Sequence, residues 1–557
     1  MNFNSLFRKK SISDLQDITQ TSRLNKVLTS RDLTFFGIAA IIGAGIFSTI
    51  GRASYEGGPA ISLLFILVAI ACIFTALCYA QFASIIPVSG SAYTYVYASL
   101  GEIFAWTIGW ALILEYAVSN MVVAISWSGY FTSMLKGFGI NWPGWLAIDY
   151  GNAFRAFSET QTVPVNRLTD NDIKWAQIYQ SAPEIGGMKI IFNLPAGLIT
   201  LLVTTLAYIG IKESTRVSNA LVWIKLTVIV GIILVGAFYV RPENWSPFMP
   251  NGVGGVMGGV AAVFFAFIGF DSISTTAEEC KNPQRDLPRA MISCIIICTV
   301  LYASIALVLT GMVNYKELRV DDPLAYVFGK IGLNFVAGII SVSAVIAMTG
   351  AILVYQIGQP RIWMTMSRDG LLWKPFGKIH KKYHTPGFAT IAAGFFVGIP
   401  AMMIDMQVVV DLTSVGTFFA FILVCSGVLF LDYKGYSKHA KFKMPYINGQ
   451  YWILLLFCIG VGFFLTQTNY KEIVKEKPLL IVFWMVWLGL SLTSIKYKFS
   501  LLPVLGILFN LYLMTELGWS NWYMFIIWLL IGLTIYFLYG RKNSKLSQLM
   551  ETNKPTP

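Results

Sequence analysis

The chain has 557 residues, 56% hydrophobic and only 12% charged, with 39 Phe, 26 Tyr and 16 Trp. Soluble domains average about 25% charged residues, so this composition excludes one and points to a polytopic membrane protein. The formal net charge of +13 would suit a nucleic-acid binder. With the amino terminus placed inside, however, Lys and Arg concentrate in inside loops, which is the positive-inside bias plus contact with anionic lipid heads.

A membrane helix needs roughly 20 apolar residues. About fourteen such spans are predicted, centred near residues 45, 72, 118, 202, 230, 266, 302, 345, 395, 420, 458, 488, 509 and 531. The divisions within 386–432 and 478–517 are the hardest to draw. An even count puts both termini in the cytoplasm. Residues 1–33 form a polar tail with Arg8-Lys9-Lys10 but no separate apolar core and cleavage site, so no signal peptide is expected.

The first span, over 34–50, carries Gly43-Ala44-Gly45 near its middle. Glycine eases departure from helical dihedrals and admits close approach to the backbone. Non-helical backbone at membrane depth is tolerated only where it lines a cavity or is buried in protein. A break here would present free N–H groups at a positive half-helix end, suited to a carboxylate. The plainer reading is close helix packing through small residues.

Glu56-Gly57-Gly58-Pro59 turns the chain into the second span, which runs to Pro87; residues 88–95 then lead along the inner face to the third. Residues 136–190 form a polar loop, expected outside, with Trp142, Trp145 and Trp175. Its composition suggests partial order; it serves either as surface decoration or in gating or partner docking. Two further spans follow. Asn251-Gly252-Val253-Gly254-Gly255 then opens a sixth span ending Phe267-Ile268-Gly269-Phe270-Asp271-Ser272. The first and sixth spans share a glycine interruption and a following span started by proline (Pro59, Pro288). Five spans apart, they suggest two five-helix repeats, 34–240 and 255–432, of inverted topology. Four extra helices over 446–540 and a cytoplasmic tail, 541–557, complete the chain.

Enzymatic chemistry finds no support. His380, His384 and His439 lie in inside loops, and there is no His-Glu-x-x-His, Gly-x-Ser-x-Gly or phosphate loop. No cofactor and no metal are expected. The seven cysteines lie in or beside apolar spans and read as small buried hydrophobes. Three ionisable residues fall inside spans. Lys225, flanked by apolar residues, costs roughly 2.5–3.5 kcal/mol to centre in a bilayer. It either pairs with Glu115 across the bundle or occupies a cation site beside the broken first helix, where a desolvated lysine can release a proton. Asp271 either caps freed amides or handles protons. Of Phe264, Phe265, Phe267 and Phe270, most must pack, and one could cover a ligand.

Several motifs carry a family resemblance: Ile41-Ile42-Gly43-Ala44-Gly45-Ile46-Phe47, Leu77-Cys78-Tyr79-Ala80-Gln81-Phe82-Ala83, Pro87-Val88-Ser89-Gly90-Ser91-Ala92-Tyr93, Phe267-Ile268-Gly269-Phe270-Asp271, Glu278-Glu279-Cys280-Lys281-Asn282-Pro283-Gln284-Arg285-Asp286-Leu287-Pro288 and Ser367-Arg368-Asp369-Gly370-Leu371. From about residue 24 to 545, outside the long loop, the chain resembles the amino acid–polyamine–organocation superfamily and its cationic amino acid transporter-like branch. The resemblance implies an all-α LeuT-type fold, a cell-membrane location and secondary transport of an amino acid. Beside Gly43, the amides of Ala44 and Gly45 would bind the substrate carboxylate. The carbonyls of Ile41, Phe265 and Ile268 would receive its ammonium, and Phe265 would be the aromatic gate. Lys225 matches a lysine that stands in for sodium, and Glu115 an acid that works with it. Val354, Tyr355 and Gln356 are candidates for shaping the side-chain pocket.

Two residues depart from the family pattern. Ala44 stands where many relatives carry Ser or Thr, leaving carboxylate binding to backbone N–H groups. Gln81 replaces the usual Glu, which shifts any proton coupling onto Lys225, Glu115 and Asp271. The expectation is a proton-coupled or sodium-independent permease working by alternating access in the lipid bilayer, with no nucleic-acid partner. The rivals are a membrane amino acid sensor and a polyamine or amine exchanger.

Overall fold

The chain enters its first membrane helix earlier than hydropathy suggests. The computed structural model describes residues 6–11, 28–86, 91–162, 170–210, 215–466 and 470–552. In it, Thr29 caps helix α1 (Ser30–Ile41): its hydroxyl accepts from the Asp32 amide, and the Asp32 carboxylate accepts from Thr29 N at 3.0 Å. This reciprocal box satisfies two otherwise orphaned donors, so residues 30–33, read as tail, are already helical. At Ile42 the chain leaves the helical region (φ −77°, ψ 91°), and Ile42 and Gly43 form a bend. Helical geometry resumes as a π-turn over Gly45–Thr49 and then α2 (Ile50–Gly57). Pro59 lies in a short 3-10 turn before α3 (Ile61–Ile85), where a missing N–H costs nothing.

Helix α4 (Ser91–Ser99) precedes the long α5 (Glu102–Gly137); residues 87–90 of the motif before it lie outside the described residues. The 136–190 segment contains α6 (Tyr150–Thr162), α7 (Asp170–Ser181) and a two-residue hairpin, Glu184–Ile185 with Met188–Lys189. It buries a small core of its own around Ile148, Ala153, Ala182 and Ile191.

Helices α8 (Leu194–Ile209) and α9 (Thr215–Ala237) lead to the sixth interrupted segment: α10 (Gly252–Gly258), α11 (Val260–Phe265), a turn, and a 3-10 run over Phe270–Glu279. Gly269, at φ +121°, supplies the left-handed residue that turn requires. The next helix, α12 (Pro283–Met312), starts at Pro283 rather than the expected Pro288, which lies inside it; Pro283 already offers the preset first-turn φ.

After α13 (Pro323–Lys330) and α14 (Asn334–Arg368) come α15 (Gly387–Met403) and α16 (Met406–Tyr433). They part at Asp405, whose carboxylate accepts from Gln407 N at 2.7 Å. The remainder is α17 (Trp452–Thr466), α18 (Tyr470–Glu476), α19 (Leu479–Tyr497), α20 (Leu501–Thr515) and α21 (Trp519–Ile535).

Among the described residues, eight helical stretches are long and apolar enough to cross a bilayer, and five shorter apolar helices accompany them. The chain is therefore a multi-pass helical membrane protein. Helix α3 packs along α12, α5 along α14 and α8 along α15, and α1 lies against the 3-10 run of the sixth segment. The apolar core runs through all of them. Six cysteines are buried as expected, but Cys458 is exposed. It sits on α17, a peripheral helix that buries Ile453 alone, so this thiol faces outward. The two ends of the chain meet at one face, where Lys10 pairs with Asp369 at 2.8 Å and Lys545 N donates to Asp369 O at 3.0 Å.

Candidate functional site

The two interrupted helices touch at their interruptions. A Cβ on Gly45 would lie 2.4 Å from Ala266 Cα, and one on Gly269 would lie 3.0 Å from the Ala40 carbonyl carbon. Glycine at 45 is thus a condition of the contact. Thr49 Oγ1 lies 2.9 Å from Gly45 O and 3.1 Å from Ala262 O, tying the two segments together, and Tyr302 donates to Ile41 O at 3.1 Å. Among the described residues nothing accepts from the amides of Gly43, Ala44 and Gly45, although all three are buried. Buried backbone donors are almost always paired, and here they open a helical segment, whose N-terminus carries positive partial charge. That is the chemistry of a carboxylate site built from backbone.

The four phenylalanines separate by partner. Phe264 stacks on Phe418 at 3.8 Å, Phe267 meets Tyr302 at 5.6 Å, and Phe270 meets Tyr79 at 6.1 Å. Phe265 has no ring partner among the described residues, and its carbonyl accepts from Ile268 N at 3.2 Å in the turn. Packing claims three of the rings and leaves Phe265 beside the break.

Lys225 projects inward from α9, 5% exposed, while its neighbours Trp223 and Ile224 face outward. Its ammonium lies 3.4 Å from both Ala39 O and Ile42 O, the carbonyl end of α1, where partial negative charge accumulates. A Cβ on Gly350 of α14 would sit 4.0 Å from Nζ, in ordinary contact. These contacts place the ammonium beside the first break. Glu115 neighbours Asp271 and the Thr417 hydroxyl. Glu115 Oε2 and Asp271 Oδ2 are both buried without a hydrogen-bond partner. Asp271 also has its own backbone amide and those of Ser272 and Gly269 beside it.

Of the residues considered for the side-chain pocket, Tyr355 packs edge-on to Tyr116 at 5.8 Å, near these acids. Gln356 is committed elsewhere: it accepts from Asn120 at 2.7 Å and donates to Thr204 at 2.9 Å. Val354 is half-buried.

Gln81 is explained by what it touches. Its Nε2 donates to Asp432 Oδ1 at 2.7 Å and to Ser437, and its Oε1 accepts from Met444 N at 3.2 Å. A glutamate here would set two carboxylates in contact. Gln81→Glu should therefore cost about 1–3 kcal/mol, the penalty of an unmatched buried polar group; thermal denaturation at neutral pH reads the loss.

At the end of α5 opposite the termini lies a cavity of about 1680 Å³, lined by Tyr55, Lys174, Arg319, Asp321 and Asp322 among others. Helix α7 roofs it, with Asn171 donating to Arg319 O at 3.5 Å, so the 136–190 segment docks onto the membrane helices. Thr49, Tyr302 and Tyr130, which donates to Phe47 O at 2.5 Å, were not legible as site residues: a hydroxyl in an apolar helix shows no partner until the fold is known.

Two interrupted, touching helices with a lysine against the carbonyl end of one define a broken-helix membrane transporter. Residues 28–490 match the family model described as amino acid permease, and residues 500–544 match the model for the C-terminus of such permeases; the chain belongs to the amino acid permease family. It is 39% identical to the branched-chain amino acid permease BcaP of Bacillus subtilis, over 98% of this chain and 99% of that one. It is 36% identical to the methylthioribose transporter of the same organism, over 98% and 100%. The vacuolar cationic amino acid transporter 4 of Arabidopsis thaliana is 31% identical, over 98% and 97%. The relatives are transporters, as the motifs implied, and the protein is not an enzyme.

Proposed function

We propose that this protein is a secondary active transporter that carries a neutral amino acid across the cell membrane by alternating access, sodium-independent and coupled to a proton. The observation that carries the proposal is the buried, unpaired run of amides at Gly43, Ala44 and Gly45. The substrate carboxylate binds these amides, the carbonyls of Ile41, Phe265 and Ile268 take its ammonium, and Phe265 covers it. Lys225 holds the position a sodium ion would otherwise fill, and Glu115 and Asp271 share a proton.

The pairwise packing of α3 with α12, α5 with α14 and α8 with α15 supports the inverted repeats 34–240 and 255–432. These are the second and seventh, third and eighth, and fourth and ninth spans of about fourteen, the pairs that a pseudo-two-fold axis brings together. Four helices over 446–540 flank the repeats, both termini are cytoplasmic, and the 136–190 segment is external. A neutral rather than cationic side chain is favoured by the 39% identity to a branched-chain amino acid permease.

Uptake by proteoliposomes, challenged with each of the twenty amino acids, tests the reading. Branched-chain amino acids should compete strongly, and lysine, amino acid amides and decarboxylated amines weakly. Strong competition by the amines would indicate an amine exchanger instead. Methylthioribose, which has no carboxylate for these amides, should not compete. Ligand binding without accumulation or exchange would mark a sensor.

A further inference from the structure

A second polar crevice opens at the face that carries the termini, away from the helix breaks. Its volume is about 260 Å³, and it is bounded by the end of α3, the end of α16 and two chain segments, 443–446 and 497–500. Those segments pair: Gly449 N donates to Phe499 O at 3.0 Å and Leu501 N to Ile447 O at 2.8 Å. Tyr446 donates to Lys498 O at 2.8 Å. Lys498 itself sits at φ +51°, a conformation that costs a non-glycine residue energy and marks sites held by their surroundings.

The crevice has a definite chemistry. Lys443 and Lys498 line it, together with the carboxylate of Asp432 and the rings of Tyr446 and Tyr497. Asp432 Oδ1 is already engaged by Gln81 and Ser437, and against its single charge the two lysines leave one positive charge in excess. Ser500, only 5% exposed, also lines it, and its hydroxyl has no hydrogen-bond partner. A buried hydroxyl calls for a hydrogen-bond partner, and with two lysines lining the same crevice an anionic acceptor is the favoured one.

We propose that this crevice binds a phosphate group, presented by an anionic lipid headgroup or free in solution. Lys443 and Lys498 neutralise it, and Ser500 donates a hydrogen bond to it. One phosphodiester charge balances the excess of two lysines over one aspartate. Basic pockets between membrane helices have this capacity for lipid heads.

The test is the thermal stability of the purified full-length protein in detergent, titrated separately with dioctanoyl phosphatidylglycerol, dioctanoyl phosphatidylcholine and inorganic phosphate. Phosphatidylglycerol should raise Tm in a saturable way while phosphatidylcholine does not. A rise with inorganic phosphate as well would assign the site to a soluble anion; its lack would assign it to lipid. Lys443 makes no hydrogen bond or ion pair among the described residues, so Lys443→Gln removes charge without touching the fold. It should raise the half-maximal concentration at least about tenfold. Adding Lys498→Asn, which tolerates the left-handed backbone, should abolish the response, while Lys381→Gln with Lys382→Gln, in a separate loop, should preserve it. Equal stabilisation by phosphatidylcholine, or an unchanged response in the Lys443 variant, would overturn the proposal.

Discussion

Lys225→Met is expected to lower pH-driven uptake at least about 100-fold while leaving the protein folded. The ammonium lies 3.4 Å from two carbonyls at the end of α1, and a hydrogen bond to a charged group contributes roughly 1.5–3 kcal/mol. Two of them set the position of the broken half-helix, so their loss affects the geometry of the carboxylate site. Methionine preserves the apolar stem and removes a charge that is expensive at membrane depth, so Tm should hold or rise even as transport fails. Adding Glu115→Gln separates the roles. If Lys225 acts only as a counter-charge to Glu115, the double variant should regain uptake. If it organises the break, the double variant stays inactive. Retained proton-driven uptake by Lys225→Met would remove Lys225 from the mechanism.

What the amino-acid sequence made legible follows from how directly each feature depends on local chemistry. The breaks at Gly43–Gly45 and near Gly269 could be read because the interruption recurs five spans later, which helix packing through small residues does not by itself require. Lys225 could be read because a charge in hydrocarbon is costly and needs a reason. Its contacts could not: a long flexible side chain can reach many groups, and only the packing of α9 against α1 sets its ammonium beside the carbonyls of Ala39 and Ile42. The start of α1 was misread because the Thr29–Asp32 box consists of polar residues that hydropathy scores as tail. The start of α12 was misread because two prolines, Pro283 and Pro288, both fit a first turn. The docking of α7 over the cavity between Tyr55 and Asp321 depends on contacts far apart in the chain, to which composition is blind.

The two glycines flanking Ala44 should respond in opposite ways to the same substitution, and the contrast tests what the break is for. Gly45→Ala places a methyl group 2.4 Å from Ala266 Cα and 2.7 Å from Ala266 Cβ. Neither neighbour is a flexible side-chain tip, so the backbones must separate. That exceeds ordinary overpacking, and the cost should reach or pass about 3 kcal/mol, seen as a large fall in Tm and loss of uptake. Gly43→Ala meets only Ala351 Cβ at 3.5 Å, an ordinary contact, and its stability should change by less than about 1 kcal/mol. Yet the Gly43 amide stands among the donors assigned to the substrate carboxylate, and a methyl beside it narrows the approach. Gly43→Ala should therefore keep Tm and raise KM for uptake several-fold. If these glycines served helix packing alone, transport would follow stability in both variants, and Gly43→Ala would carry substrate as well as the unaltered protein does. A rise in KM without a fall in Tm is the signature of a break kept open for a ligand.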